Sequence, residues 1–331
     1  MKSKNLLIVI CLVAVMVAIP LIESAQAAPK VIVTRRQTGA PSLLWYTQTN
    51  IVLGGANNTI KIPDNWNGKL VVLCRGYSSI AGFNPNTIPL DTLSPLFIVK
   101  GYATAASNYG EGGYCVKEGV IRTHQLTEYV LDNYGVTGNV YLAGISMGGN
   151  IVLQLGAKYP ELYDGVLDIC GSKDLAAQYT DKMYYASIAD DIALGKEVVD
   201  RGGVNPPYPL PTIAAFRDYC LTSGTEIALA CGGTPAEKPK AYERISPTFN
   251  AADIALPTIT VHGTADALVP YSTSIEFMNA VVAEGQSSLY RIYKVVGGQH
   301  ANTPVLGQIS PRFDQLVNWV ENGVLPPAST P

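Results

Sequence analysis

Histidine and charge are what this 331-residue chain has least of. Three histidines, His124, His262 and His300, serve the whole sequence. With no Cys/His spacing beside them, a zinc cluster is a poor expectation. Charged residues make up 15% of the chain, the formal net charge is −3, and no block of one sign stands out. Nucleic acid and anionic membrane surfaces are therefore poor partner candidates. Tyrosine, with 19 copies against six Phe and three Trp, supplies much of the amphipathic surface instead. Internal repeats are absent.

A long apolar run occurs at the N-terminus. Residues 6–22 are uncharged and mostly apolar, behind Lys2 and Lys4 and ahead of the small-x-small triplet Ala25-Gln26-Ala27. This pattern predicts a secretory signal peptide over residues 1–27. An uncleaved anchor is the alternative, because the run approaches the roughly 18 residues that suggest a spanning helix. Cleavage would remove Lys2, Lys4 and Glu23 and take the formal charge from −3 to −4. The expectation is a secreted, extracytoplasmic protein with no stable membrane association once the signal is cut. Of six cysteines, Cys11 lies in the signal, which leaves an odd number. Cys220 and Cys231, in a Pro/Gly-rich and loop-like region, are expected to pair in an oxidising compartment. Cys74 and Cys170 end apolar runs and read as buried thiols.

The rest of the sequence alternates short apolar runs with helical patterns. Antiparallel strands are expected near residues 51–53 and 59–62. Further strands follow at 70–74, 102–106, 139–143, 165–170, 258–262 and 290–295. Helices are expected at 92–100, 120–133, 150–157, 274–284 and 309–320. This is an α/β pattern, a mainly parallel sheet with helices on both faces. Between 171 and 254 the rhythm breaks, and a structureless loop of that length would be anomalous. The expected organisation is a core over 28–170 and 255–322, an inserted helical cap over 171–254, and a flexible tail over 323–331.

Gly144-Ile145-Ser146-Met147-Gly148 lies where a predicted strand turns into a predicted helix. Gly-x-Ser-x-Gly in that setting holds the serine on a sharp turn with its hydroxyl above the sheet. A serine hydroxyl needs a base, and the base needs a carboxylate to orient it. Asp266 follows the strand that ends at His262, and His300 follows the last strand, so the order along the chain is Ser146, Asp266, His300. Among the histidines, His124 lies within a helix and His262 is expected to bond its own loop. Asp168 and Asp174 compete for the acid role. The oxyanion formed by attack needs two N–H donors. Met147 supplies one, and Tyr77 is chosen by position for the other, with a simple tight turn at Gly76-Tyr77 as the alternative reading.

These residues resemble the α/β-hydrolase superfamily over most of residues 50–320. The Met147-Gly148-Gly149 elbow is similar to that of secreted esterases and lipases. The Asp266 loop and the Gly-Gly-x-His ending at His300 resemble feruloyl esterases, polyhydroxybutyrate depolymerases and prolyl-oligopeptidase-type peptidases. Arg75 departs from the His of many relatives. The resemblance implies an α/β-hydrolase fold, and Asn108 or Tyr109 as pocket residues, although their sequence would equally suit a surface turn. Tyr184 and Tyr185 in the cap are low-ranked substrate contacts. The expected activity is hydrolysis of a small-molecule or polymeric carboxylic ester through an acyl-enzyme, without a cofactor. A serine peptidase is the alternative, with Asp190, Asp191 and Glu197 as candidate amine holders, and a non-catalytic binding protein is the third reading.

Overall fold

In the computed structural model the described residues are 31–37, 45–87, 89, 92–193 and 213–328. The expected signal peptide, residues 194–212 of the expected cap and the last three residues lie outside them.

Three antiparallel strands open the fold: β1 (Ile32–Gln37), β2 (Trp45–Leu53) and β3 (Ala56–Pro63). An alternating series follows: β4 (Leu70–Cys74), α1 (Ser94–Ile98), β5 (Ala103–Ser107), α2 (Val116–Tyr134), β6 (Val140–Ile145), α3 (Met147–Lys158) and β7 (Gly165–Ile169). Helices α4 (Leu175–Ala193), α5 (Ile213–Cys231) and α6 (Pro239–Ile245) and a 3-10 turn at Pro247–Asp253 come next. The chain returns to the sheet with β8 (Thr258–Gly263), α7 (Tyr271–Ala283), β9 (Tyr290–Val295), α8 (Thr303–Leu306) and α9 (Ile309–Asn322).

The nine strands form one sheet in the order β1-β2-β3-β5-β4-β6-β7-β8-β9. From β5 to β9 every pair is parallel. Strands β4, β5, β7 and β8 are buried along their length, and β6 is buried up to its last residue, Ile145, as a parallel sheet covered on both faces requires. Alternate residues divide between two cores. Leu70, Val72, Leu142 and Val166 face α2, α3 and α7, through Leu126, Val130, Ile151, Val152 and Phe277. Val71, Leu73, Tyr141, Ala143, Leu167 and Val261 face α1 and α9, through Phe97, Phe313, Leu316 and Trp319. Ile309, Phe313 and Leu316 recur at helical spacing, so one stripe of α9 is buried.

Chain order reverses at β4, which has β5 on one side and β6 on the other. In open α/β sheets such a reversal opens a crevice at the carboxyl ends of the strands. Ser146 follows β6 at this point. Two departures from the sequence reading stand out. Strand β1 and the first half of β2 carry polar residues, and their order comes from pairing Arg35 with Thr47 and Thr34 with Gln48 across strands rather than from a hydrophobic pattern.

The second departure is the cysteine pair. Cys220 and Cys231 are not disulfide-bonded; all five described cysteines are free. Both sit on the continuous helix α5, about three turns apart, and a 1.5 Å rise per residue puts their Cα atoms far beyond disulfide reach. Gly224, midway along α5, serves close helix packing: a Cβ there would lie 3.0 Å from Met183 Sδ on α4.

The aromatic cluster under α9 sets a stability test. Phe313 packs edge-on to Phe97, Tyr102 and Tyr141 with ring centroids 4.7, 5.2 and 5.3 Å away. Phe313→Ala should cost about 3–5 kcal/mol, measured by urea unfolding, without altering the site described next.

Candidate active site

The backbone of Ser146 has φ 59° and ψ −123°, a region that costs a non-glycine residue about 1–3 kcal/mol. The turn is held from both sides. Ser146 N–H donates to Ile169 O at 2.8 Å, and Ser146 O accepts from Gly149 N–H at 2.9 Å and Ser172 N–H at 3.2 Å. A Cβ on Gly144 would run into Gly148 O, and one on Gly148 into Cys74 O. The glycines thus let α3 start directly against β4 and β6. As the first residue of α3, Met147 has an N–H without an acceptor inside the helix.

Across the sheet edge, Asp266 and His300 meet. His300 Nδ1 lies 2.7 Å from Asp266 Oδ2. Because the carboxylate is an acceptor, Nδ1 carries the proton and Nε2 is left with a lone pair. Asp266 Oδ1 accepts from Leu268 and Val269 N–H, both at 2.9 Å. Burial raises the Asp266 carboxyl, but His300 and His262 outweigh it and hold the group well below the usual carboxylate range. The Ser146 turn comes near this pair through β7. Its N–H bonds Ile169 O, and the next residue, Cys170, keeps its sulfur within 4.8 Å of the facing Asp266 and His300 atoms.

Cys170, Asp266 and His300 form a cluster of three metal-capable side chains, the one such cluster among the described residues. Its chemistry does not suit an ion. Burial pushes the Cys170 thiol well up, so it resists the deprotonation that a metal requires, and Asp266 already takes bonds on both oxygens.

The competing residues have other partners. Asp168 Oδ2 lies 2.6 Å from Lys173 Nζ, with both side chains fully buried, and accepts from Thr260 Oγ1 at 2.7 Å. Asp174 Oδ1 accepts the Ala176 and Ala177 N–H groups at 2.9 and 3.0 Å and so caps α4. His124 stacks on Tyr159 with centroids 3.7 Å apart. His262, at the end of β8, has Nε2 2.9 Å from Val269 O in its own loop. It also reaches Asp266 Oδ2 at 3.2 Å, a contact that its sequence position did not reveal.

The loop after β4 lies against the elbow: a Cβ on Gly76 would sit 3.3 Å from Ser146 Cβ. Arg75 anchors this loop. Its guanidinium donates to Asn108 O at 2.9 Å, Glu111 O at 2.7 Å and Gly76 O at 2.9 Å, and stacks 4.5 Å from the Tyr109 ring centroid. Asn108 and Tyr109 belong to that anchor. The Asn108 amide accepts from Asn57 and Gly110 N–H at 2.9 Å each and donates to Pro85 O and Thr87 O at 3.0 Å each. Tyr109 is buried, with φ 66°.

The cap reaches the same loop. Tyr77 OH donates to Glu226 Oε2 on α5 at 2.7 Å, and Ile80 N–H donates to Oε1 at 2.9 Å. Tyr77 also packs on Tyr114 and Tyr219, with centroids 5.0 and 6.0 Å away. Lys182 of α4, buried, donates to Leu268 O at 3.2 Å, and burial lowers its ammonium to about 8. Tyr184 and Tyr185 are half-buried, and Tyr185 packs 6.0 Å from the Phe216 ring. The side chains of Asp190, Asp191 and Glu197 lie outside the described residues.

An elbow serine at the switch point of a mainly parallel sheet, with a helical insertion between β7 and β8 and an Asp/His pair on the loops after β8 and β9, defines the architecture. The fold is that of the α/β-hydrolases. Solved structures agree with it. Tannin acyl hydrolase from Aspergillus niger superposes with a TM-score of 0.58 at 14% identity, over 90% of this chain and 83% of that one. Feruloyl esterase B from Aspergillus oryzae gives 0.55 at 14% identity, over 90% and 87%. A Bacteroides ovatus chain assigned as a dipeptidyl aminopeptidase IV gives 0.56 at 11% identity, over 88% of this chain, which spans 36% of that longer one. Residues 216–322 match the prolyl oligopeptidase family. No curated protein matches the sequence.

Two measurements check this geometry. Arg75→Met should leave the Asn108 and Glu111 carbonyls without their donor and cost on the order of 3 kcal/mol, read from denaturant unfolding. Denaturation without reductant should expose five titratable thiols, from Cys74, Cys115, Cys170, Cys220 and Cys231, in a chain lacking residues 1–27.

Proposed function

We propose that this α/β-hydrolase is a secreted serine hydrolase of carboxylic esters, and that Ser146, His300 and Asp266 are its triad. The observation that carries the reading is the 2.7 Å bond from His300 Nδ1 to a buried Asp266, on loops at the same edge of the sheet as the φ 59° serine. Ser146 Oγ attacks the ester carbonyl carbon while His300 Nε2 takes its proton. The carbonyl oxygen becomes an oxyanion and is met by the Met147 and Tyr77 N–H groups. Collapse breaks the C–O bond to the alcohol, which leaves with the proton from His300. Water then attacks the acyl-serine with His300 again as base, releasing the acid and restoring Ser146. Asp266 holds the imidazole in the Nδ1–H tautomer throughout.

No cofactor enters this scheme. The ester is a small-molecule or polymeric one, and the near full-length match in both directions to an acyl hydrolase and a feruloyl esterase supports ester over amide. The match of residues 216–322 to the prolyl oligopeptidase family supports a second reading, a peptidase using the same triad.

Ser146→Ala should lower turnover of short p-nitrophenyl esters by at least about 10³-fold with an unchanged circular dichroism spectrum. Retained turnover overturns the assignment, and faster cleavage of aminoacyl p-nitroanilides than of esters favours the peptidase.

Asp266 adds a linkage test. Its folded pKa lies below the unfolded value of about 3.9. The stability it contributes is complete above that value and is lost as pH falls toward the depressed folded one. The stability gap between wild type and Asp266→Asn should therefore narrow as pH drops below about 4, measured by urea unfolding from pH 7 to 3.

A further inference from the structure

We infer that His262 is a positioning residue for the acid of the triad, holding the same Asp266 oxygen, Oδ2, that meets His300. This rests on the triad reading above. His262 is fully buried at the end of β8, and both ring nitrogens have partners. Nε2 faces two acceptors, Val269 O at 2.9 Å and Asp266 Oδ2 at 3.2 Å, so Nε2 bears the hydrogen and shares it between them. Nδ1 lies 2.7 Å from Ser274 Oγ, in the first turn of α7. With the hydrogen on Nε2, the neutral ring accepts the serine hydroxyl at Nδ1. The result is a chain of side chains, Ser274–His262–Asp266–His300, that ties α7 to the base.

The carboxylate gains by this. An ionised carboxyl group has about four acceptor positions. Leu268 and Val269 N–H fill two on Oδ1, while His262 and His300 take the two on Oδ2. With every position filled, Asp266 cannot rotate away from His300 without breaking a buried bond. His262 also withdraws part of the charge that Oδ2 would otherwise present to His300. Deleting the His262 N–H therefore concentrates that charge on the remaining imidazole and favours its protonated form. Lys182, Tyr114, Tyr219 and Cys170 also feel the Asp266 charge, and they stay the same in the variants below.

The test compares His262→Leu, which removes the donor, with His262→Gln, whose terminal N–H₂ replaces Nε2–H. Ester hydrolysis is followed from pH 5 to 9. His262→Leu should lower kcat by about 10–100-fold with little change in KM, and move the acid limb of kcat/KM upward by about half a unit to one unit. His262→Gln should restore most of kcat and return the limb to its wild-type position. A purely packing role predicts unmoved limbs and equal losses in both variants, and that outcome overturns the proposal. If His262→Leu does not fold, Ser274→Ala replaces it, with a smaller kcat loss and the same direction of limb shift expected. A readout independent of activity uses ¹⁵N-histidine NMR of the wild-type protein. His262 should show a one-bond Nε2–H correlation and a bare Nδ1; a hydrogen on Nδ1 alone overturns the inference even if no ester is cleaved.

Discussion

The site depends on one close approach. At the elbow, backbone meets backbone at two points with no side chain between: Gly144 against Gly148 O, and Gly148 against Cys74 O. That contact sets α3 against β4 and β6, and the Ser146 N–H to Ile169 O bond then fixes the serine in its left-handed conformation. Behind the turn sits the fully buried Asp168–Lys173 pair, with Asp168 Oδ1 against the positions where Gly149 or Gly171 would carry a Cβ. A buried ion pair is weak evidence of net stability. Here its role is spatial: Asp168 fills the floor beneath the elbow and takes its own cation, which leaves the neighbouring loop to present Asp266.

The Asp266–His300 pair is held by a different device, saturation. Asp266 is buried, which would favour its neutral form, yet four N–H groups converge on it and keep it charged. The β8–α7 segment supplies three of its four donors: His262, Leu268 and Val269. The remaining one, His300, comes from the loop after β9. An α/β sheet suits this arrangement because parallel strands deliver all these loops to one edge.

The sequence announced the parts of this structure that residue type alone determines. Strands β4 and β9 fall at residues 70–74 and 290–295 as expected: β4 is an unbroken apolar run, and β9 is a short aromatic and β-branched segment interrupted only by Arg291 and Lys294. The elbow and the Asp266–His300 pairing were visible for a similar reason: the turn demands glycine, and a histidine paired with a carboxylate stands out where histidines are few. Features that arise between distant segments were hidden. Strand β1 is polar and is ordered by β2. The surroundings of Cys220 and Cys231 read as loop-like within the expected helical cap, and their place on one helix shows only once α5 is seen packed against α4. Arg75 looked like a departure from a familiar pattern, and only its partners at Asn108 and Glu111 explain it. The orientation of the His262 ring left no trace in the sequence.

Glu226 carries a consequence for how such a protein can vary. A single carboxylate on the inserted helix α5 holds both Tyr77 OH and Ile80 N–H, 149 and 146 positions earlier in the chain. The insertion is thus bonded to the loop after β4 rather than only resting on it. Any replacement of the insertion would have to bring an acceptor to this spot, or the loop after β4 would lose both bonds. Exchange of the insertion is therefore constrained at Glu226 by hydrogen bonding, as it is at Phe216, Ser223 and Ile227 by burial.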